Sequence, residues 1–325
     1  MKRIYPILLI GLLSMFFAEV FSGASTMWFL SLPGIFLTFP LYLFHVLFFL
    51  WIAVEYRKTS IQQLYLLGTI FALYEAWVTK VLWAGYMDSA GPGLGTFFGI
   101  AIAEYSILVF FWHSVMSFLV PVLVFQVFTG RMFSEHATFL HKNHGSLTMV
   151  VVTIILLSNF IANGNSFNIV TANISVLGTM LLIFLVRNAS PGSDITSLHF
   201  KKRYFLIVTA YLLILYIVTF FALLPERIPV TIVPYVSIIL SYVVIVAILA
   251  KSKPSAVFVG PLPEGSYSAK DAVHLSIILI FSVNFACLLP SVSTALLTIT
   301  YLFLVAAGPF LFLKVCLNIF RESRH

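Results

Sequence analysis

Residues 201–224 read KKRYFLIVTAYLLILYIVTFFALL, three basic residues followed by a long run without a charge. A helix of about 20 apolar residues, rising 1.5 Å per residue, crosses the hydrocarbon core of a bilayer. Similar runs recur from end to end, and 61% of the chain is hydrophobic against 9% charged. Lipid forces each backbone to satisfy its own hydrogen bonds, and a barrel would show short alternating strands instead. The sequence therefore predicts an all-α, polytopic transmembrane helix bundle.

Windows of about 18 or more mostly apolar residues predict about ten spans. These are residues 4–22, 34–54, 61–83, 97–127, 147–162, 169–186, 204–224, 230–250, 272–289 and 292–318. The first window resembles a secretory signal peptide, but it is long for one and Glu19 stands where small neutral residues precede cleavage. We expect an uncleaved first helix.

The basic residues follow every second span. Sixteen of the 18 lysines and arginines lie near the termini or in connections after even-numbered spans, and the exceptions are Lys80 and Arg227. Lys and Arg stay on the cytoplasmic side during insertion, so both termini are predicted inside the cell, in a plasma-membrane protein. The net charge of +7 indicates topology and affinity for anionic lipid headgroups, and it gives no support for nucleic-acid binding.

The connections leave no room for a soluble domain, so residues 1–325 are predicted to form one integral membrane domain. Two connections are longer: residues 84–96 outside, with Gly-Pro-Gly-Leu-Gly at 91–95, and residues 251–271 inside, whose glycines and prolines favour a flexible loop. They occupy matching positions in two five-span halves, 1–165 and 166–325, as an inverted repeat requires. The halves share no evident residue similarity beyond this.

Three acidic residues fall inside predicted spans: Glu19, Glu75 and Glu104. A carboxylate in hydrocarbon is costly, so such residues normally face a protein interior or a watery cavity. Counting along each helix places all three in the outer half of the membrane. If they converge, they predict an acidic polar chamber on that side.

Other polar residues accompany them in the spans. Lys80 lies between Trp77 and Trp83 at helical spacing, which indicates either a member of the chamber or a snorkelling lysine beside interfacial tryptophans. His45 and His113 lie mid-span, where a hydrogen-bonded packing histidine is the simpler interpretation. Glu104 and His113 are nine residues apart, on opposite faces of a straight helix, so a shared site needs a glutamate from another helix.

Asparagines are enriched on the same predicted side of the membrane. Asn159 borders the short connection after the fifth span, and Asn284 falls in the outer half of the ninth. Both join the predicted chamber, although asparagines in membrane helices also cap helix ends or bridge neighbours.

Three stretches carry a resemblance: Ala18-Glu19-Val20-Phe21-Ser22-Gly23, residues 74–80 (Tyr-Glu-Ala-Trp-Val-Thr-Lys), and Trp112-His113-Ser114 through Pro121. They are similar to segments of uncharacterised multi-pass membrane proteins of archaea and bacteria. The second also resembles the Glu-Glu-x-x-x-Arg motif of prenyl-endopeptidase-like (CAAX protease and bacteriocin-processing) intramembrane proteases. Ala76 replaces the second glutamate of that motif and Val109 replaces the phenylalanine that precedes its histidine.

The protease resemblance implies roles for three residues. Glu75 would be the general base that activates water, His113 would stabilise the developing oxyanion, and Glu104 would substitute for the missing second acid. The substrate would be lipid-embedded or lipidated.

Two other classes stay open beside an intramembrane hydrolase. A proton-coupled secondary transporter of a small solute would use the same buried acids. A non-catalytic membrane scaffold would use them only to hold helices together. None of the three requires a cofactor or a metal site, and the spacing of the loop histidines 136, 141 and 144 is weak support for a metal.

Overall fold

The computed structural model describes residues 4–86, 94–190 and 192–322, and these residues form helices and one pair of short strands. The α-helices are α1 (Ile4–Met15), α2 (Phe39–Glu55), α3 (Ile61–Ala72), α4 (Tyr74–Trp77), α5 (Val81–Ala84), α6 (Ile102–Ile107), α7 (Val120–Thr129), α8 (Ala137–Leu140), α9 (His144–Gly164), α10 (Ile169–Asn188), α11 (Lys202–Ala222), α12 (Val233–Lys251), α13 (Ala269–Leu288) and α14 (Pro290–Glu322). Three segments are π-helical: Phe16–Val20, Gly34–Thr38 and Leu108–Leu119. Short 3₁₀ turns are Trp28–Leu30, Ser134–His136, Ile195–Leu198 and Pro225–Arg227. The strands are β1 (Arg131–Phe133) and β2 (Val259–Pro261).

The all-α membrane class is confirmed. Within the described ranges, eight continuous helices are long and apolar enough to cross a bilayer: Gly34–Glu55, Ile102–Thr129, His144–Gly164, Ile169–Asn188, Lys202–Ala222, Val233–Lys251, Ala269–Leu288 and Pro290–Glu322. Each corresponds to one predicted span. The first predicted span is a shorter apolar helix, Ile4–Val20. The count of about ten crossings therefore depends on this helix and on the third segment.

The third segment is broken, where the sequence predicts one continuous helix over residues 61–83. It consists of α3, α4 and α5, and Lys80 between the last two has a positive φ of 57°. The chain between Gly68 and Gly85 contains neither glycine nor proline, so the residues usually associated with helix breaks are missing. Glu75 therefore lies in the short helix α4, and Lys80 lies in the break between α4 and α5.

Polar residues mark the starts of several helices. Ser60 before α3 accepts a hydrogen bond from the main-chain nitrogen of Gln63, whose side chain accepts one from the nitrogen of Ser60 in return. Asn143 and Ser268 form the same reciprocal pattern before α9 and α13. These capping boxes satisfy main-chain donors that a helix start otherwise leaves free.

The chain forms two compact units, each assembled from three separate stretches. Unit one contains residues 1–47, 120–199 and 256–300. In it, α1 packs on α7 and α10, and α13 packs on α9 and α10. Main chains approach most closely where Gly23 meets Gly164, since a Cβ atom on Gly164 would lie 2.2 Å from the carbonyl oxygen of Gly23.

Unit two contains residues 48–119, 200–255 and 301–325. Here α3 lies along the π-helical segment Leu108–Leu119, α12 packs on α3, and α11 packs on α4. A Cβ on Gly68 would lie 2.6 Å from the carbonyl oxygen of Ser114, so glycine permits this close approach. Both units draw residues from either side of residue 165, and the inverted repeat of two halves stays a prediction.

The outer long connection lies partly outside the described residues, and the inner one contains a strand that the sequence does not predict. Residues 87–93 of the outer loop, with most of its Gly-Pro-Gly-Leu-Gly sequence, lie outside the described residues. The inner loop lacks helix as predicted, but it is partly ordered: β2 pairs antiparallel with β1, with Met132 opposite Gly260. The expectation of a flexible loop misses this pairing because short β-bridges between distant segments leave no local pattern.

Apolar side chains on the outward faces of the long helices are largely exposed. On α11, Ile207, Ile214 and Phe221 recur at seven-residue spacing and each exposes more than 60% of its surface. A stripe of this kind in a helix of high hydropathy is what contact with lipid requires. The packed polar residues lie on the opposite faces.

Candidate functional site

The candidate site is a buried pair of ionisable side chains in unit two, Glu75 and His113. The Nε2 atom of His113 lies 3.0 Å from Oε1 of Glu75. Their side chains are 4% and 10% exposed respectively, so the pair is almost closed and the Glu75 side chain keeps a small accessible surface. An acid and an imidazole in direct contact inside a membrane protein are a strong indication of function.

Backbone irregularity on both sides positions this pair. Glu75 lies in α4, a four-residue helix between the breaks in the third segment. His113 lies in the middle of the π-helical segment Leu108–Leu119. π-helical turns are rare and occur frequently at functional sites. The close contact of Gly68 with Ser114 brings the two segments together one helical turn away from the pair.

Two hydroxyl groups that contact the pair were missed by sequence reasoning. The Nδ1 atom of His113 lies 2.8 Å from the hydroxyl of Ser117, and the hydroxyl of Thr79 contacts the second carboxylate oxygen of Glu75. Each hydroxyl lies four residues after its partner, Ser117 in the same π-helical segment as His113 and Thr79 in the turn after α4. This i, i+4 spacing is the signal that would have found them, but serine and threonine are too common in membrane helices to single out by type.

The proton positions follow from the hydrogen-bond inventory. An ionised carboxylate only accepts hydrogen bonds, so Nε2 of His113 carries the proton that faces Glu75. In a neutral imidazole Nδ1 is then an acceptor, and Ser117 donates its hydroxyl proton to it. The ring of Tyr74 packs against the imidazole at a centroid distance of 5.1 Å and an angle of 69°. The arrangement is a hydrogen-bonded chain of carboxylate, imidazole and hydroxyl.

Glu104 also lies in unit two, in the first turn of α6, and is fully buried. The described contact of its carboxylate is with the main-chain nitrogen of Tyr86, at 3.5 Å. As the helix geometry predicts, it does not share a contact with His113. The structure gives no contact between Glu104 and Glu75 among the described residues.

Lys80 corrects the interpretation of a snorkelling lysine. Its side chain is fully buried, and its ammonium group donates to the main-chain carbonyls of Thr219, at 2.8 Å, and Leu223. It also lies 5.4 Å from the ring centroid of Phe220. These are the last carbonyls of α11, so Lys80 caps the negative end of that helix. The snorkelling interpretation is wrong because the Lys80 side chain is buried against α11, where Phe220 packs beside Lys80 and both tryptophans.

Glu19 lies in unit one and is described within that unit alone. It falls in the π-helical turn Phe16–Val20 and is half-buried. Tyr42 donates a hydrogen bond to Oε1 at 2.5 Å, and Ser25 donates to Oε2. Both carboxylate oxygens therefore have a hydroxyl partner, which is how a carboxylate is held in a partly buried position.

The remaining predicted chamber residues in unit one make local contacts. His45 places Nδ1 2.7 Å from the carbonyl oxygen of Leu41 on its own helix. Asn159 donates to carbonyls one turn back in α9. Asn284 accepts a hydrogen bond at 2.6 Å from Asn173, which links α13 to α10.

The structure thus brings Glu75 and His113 together in unit two, with Lys80 and Glu104 in the same unit. Glu19, His45, Asn159 and Asn284 belong to unit one. One chamber that contains all of these residues stays a prediction. In the described part of the chain, no cluster of three or more His, Cys, Asp or Glu side chains has the spacing to hold a metal ion.

Comparisons with known proteins agree with the membrane class. A chain of Archaeoglobus fulgidus described as an uncharacterised protein is 39% identical over 128 residues, which is 38% of this chain and 38% of that one. The matched stretch therefore spans well under two thirds of the relative's length. No solved structure matches.

A family model described as an uncharacterised membrane protein family matches residues 8–323. This match and the archaeal relative confirm the resemblance to uncharacterised membrane proteins. By its coverage of nearly the whole sequence, the chain belongs to this uncharacterised membrane protein family.

Proposed function

We propose that this protein is an intramembrane hydrolase that acts on a lipid-embedded or lipidated substrate, with Glu75 as the general base. The observation that carries the proposal is the 3.0 Å contact between Glu75 and His113, inside a unit otherwise built from apolar helices. We place the protein in the plasma membrane, because its basic connections follow the pattern of inserted polytopic proteins.

The geometry supports a division of roles. Glu75 retains a small accessible surface, so a water molecule reaching it would find a proton acceptor. When Glu75 takes that proton it ceases to hold the Nε2 proton of His113 strongly. The N–H group then becomes available to the oxyanion that forms on the substrate. Base and oxyanion donor are thus linked in the resting site, and Ser117 keeps the imidazole in the required tautomer.

The resemblance to prenyl-endopeptidase-like proteases supports an amide as the bond cleaved. Glu75 occupies the first acidic position of that motif and His113 represents its histidine. Lys80, at the basic position, caps α11 and therefore supports the fold instead of the carboxylate. Glu104 has no described contact with Glu75 or His113, so this reaction does not use it.

The test uses the full-length protein reconstituted in liposomes with an internally quenched, farnesylated peptide as the probe. We expect cleavage by the wild type and a loss of about 100-fold or more in Glu75→Gln, because general-base catalysis contributes at least that much. Glu264→Gln, at an exposed loop position, is the matched control and should keep full activity. Folded yield and melting temperature are measured for each variant.

Two results would contradict the proposal, one for the base and one for the substrate. Full turnover by Glu75→Gln would show that another group activates water, and absence of cleavage by the wild type would reject a lipidated peptide as the substrate. A Glu75→Gln protein with normal folded yield and no turnover supports the proposal.

A second candidate is a proton-coupled secondary transporter of a small solute, and the broken third segment favours it. Transporters commonly build their binding sites from discontinuous membrane helices, and α3, α4 and α5 are such pieces. Here protonation of Glu75 during transport would weaken its hydrogen bond with His113, and His113 would bond to another group. The test is proton influx into liposomes containing a pH-sensitive dye, on addition of amino acids, sugars or organic anions one at a time. Solute-driven influx that Glu75→Gln abolishes would support transport, and proton-independent behaviour with every solute would reject it.

A further inference from the structure

A second buried site in unit two involves Glu104, which the proposed reaction leaves unused. Glu104 is fully buried, and its Oε2 atom has no hydrogen-bond partner among the described residues. The other oxygen, Oε1, lies 3.5 Å from the main-chain nitrogen of Tyr86, at the long limit of a hydrogen bond. A Cβ on Gly85, whose φ is +71°, would lie 3.4 Å from the same oxygen. The carboxylate therefore faces a main-chain turn without being satisfied by it.

Tyr301 supplies a second unsatisfied oxygen in the same region. Its side chain is 4% exposed, and within the part of the chain that the structure describes its buried hydroxyl has no hydrogen-bond partner. The hydroxyl is close enough to Glu104 for the two groups to interact electrostatically. The approach of α14 to α6 explains this proximity, because a Cβ on Gly308 would lie 2.5 Å from the carbonyl oxygen of Ser106.

Glu104 has no described ion-pair partner for its charge. The described ion pairs are Glu75 with His113, Arg131 with Asp194 and Lys142 with Asp271, and none involves Glu104. A buried carboxylate without a cationic partner is costly, and a buried oxygen without a donor adds several kcal/mol at most. A buried carboxylate among the few described side chains with an unsatisfied oxygen points to a ligand.

The chemistry of the two oxygens selects the ligand class. Carboxylate and phenol oxygens are hard ligands that suit hard cations. One carboxylate balances one positive charge, which favours a monovalent ion over Ca²⁺ or Mg²⁺. In membrane proteins, unwound main chain next to such a carboxylate is a known setting for Na⁺.

We propose that Glu104 and Tyr301 form a binding site for a small monovalent cation, with Na⁺ as the ion of best fit, beside the turn at Gly85 and Tyr86. The site shares no residue with the Glu75–His113 pair. It would stabilise the contact between α6 and α14 by neutralising the buried charge there.

The experiment measures the melting temperature of the purified full-length protein in detergent at constant ionic strength, as NaCl replaces choline chloride. We expect NaCl to raise the melting temperature of the wild type with a saturable midpoint, since a ligand that binds the folded state stabilises it. Glu104→Gln should lose the response. Tyr301→Phe, which removes one oxygen and keeps the ring, should raise the NaCl midpoint by about tenfold.

Controls separate this site from the proposed catalytic one. Glu75→Gln should keep the full sodium response, and Glu264→Gln should match the wild type. The proposal is overturned if Na⁺ and choline give equal melting temperatures for the wild type, or if Glu104→Gln responds to Na⁺ as the wild type does. Should Glu104→Gln fail to fold, Tyr301→Phe decides: an unchanged midpoint rejects the site and a raised one supports it. None of these readouts depends on hydrolysis.

Discussion

At the scale of single residues, Lys80 shows how main-chain carbonyls hold a charge inside a membrane protein, with Glu226 near enough to interact electrostatically. Its ammonium group contacts the carbonyls of Thr219 and Leu223, which end α11 and carry the partial negative charge of the helix. The ring of Phe220 adds a cation–π contact. A positive φ at Lys80 turns its side chain toward these groups. The lysine therefore links the broken third segment to α11.

Removing this cap should destabilise the protein. In Lys80→Met the length and apolar stem are kept, but two carbonyls lose a donor, so we expect a loss of about 1–3 kcal/mol in unfolding free energy. The measurement is unfolding in mixed micelles followed by tryptophan fluorescence. Lys270→Met, at an exposed position, is the control and should change stability by less than about 0.5 kcal/mol. Equal unfolding of Lys80→Met and wild type would contradict the capping role.

Residue identity predicts only part of the candidate site. Glu75 and His113 stand out in the sequence because ionisable side chains are rare in apolar spans. Their contact is formed by the tertiary structure. The sequence indicates only that a site containing His113 needs a glutamate from another helix. Ser117 and Thr79 give no signal by type. The unsatisfied state of Glu104 is visible only once its neighbours are known.

At the scale of elements, apolar windows locate the long helices well and miss their breaks. The windows at 169–186 and 204–224 correspond to α10 and α11 within a few residues. A window average cannot detect that residues 61–83 form three helices, because the breaks contain no glycine or proline. The same applies to the π-helical segment around His113. Irregular backbone of this kind depends on packing, which hydropathy does not measure.

Close main-chain contact in unit one gives a prediction for α9. A Cβ added to Gly164, the last residue of α9, would lie 2.2 Å from the carbonyl oxygen of Gly23 and 2.4 Å from its Cα atom, so a main chain would have to move. We expect Gly164→Ala to lower the unfolding free energy by about 1–3 kcal/mol, the usual cost of overpacking.

Gly145→Ala is the matched control, because Gly145 lies at the other end of the same helix. A Cβ there would have Asn143 Oδ1 as its nearest neighbour, at an ordinary contact distance of 3.4 Å. Alanine favours helix over glycine, so this variant should be unchanged or more stable by up to about 1 kcal/mol. If thermal unfolding shows that Gly164→Ala and Gly145→Ala change the unfolding free energy equally, the close contact with Gly23 does not restrict the size of the side chain at position 164.

At the scale of the whole molecule, the compact units do not follow the order of the spans along the chain. The sequence supports spans and their direction, since apolar length and basic connections are local properties. It does not reveal that each compact unit combines three distant stretches. Such grouping depends on contacts between residues far apart in sequence, and these leave no periodic pattern in a single chain.

The predicted direction of insertion can be tested at two exposed loop positions. Val230, in the connection between α11 and α12, is 99% exposed, and Glu264 lies exposed in the inner loop after α12. In a background in which Cys287 and Cys316 are replaced by serine, Val230→Cys should react with a membrane-impermeant maleimide on intact spheroplasts of a bacterial expression host. Glu264→Cys should react only after the membrane is permeabilised, because α12 separates the two positions and lysines before Glu264 hold its loop inside. Equal labelling of both cysteines without permeabilisation would mean that α12 does not cross the bilayer, and the reverse order would invert the whole topology.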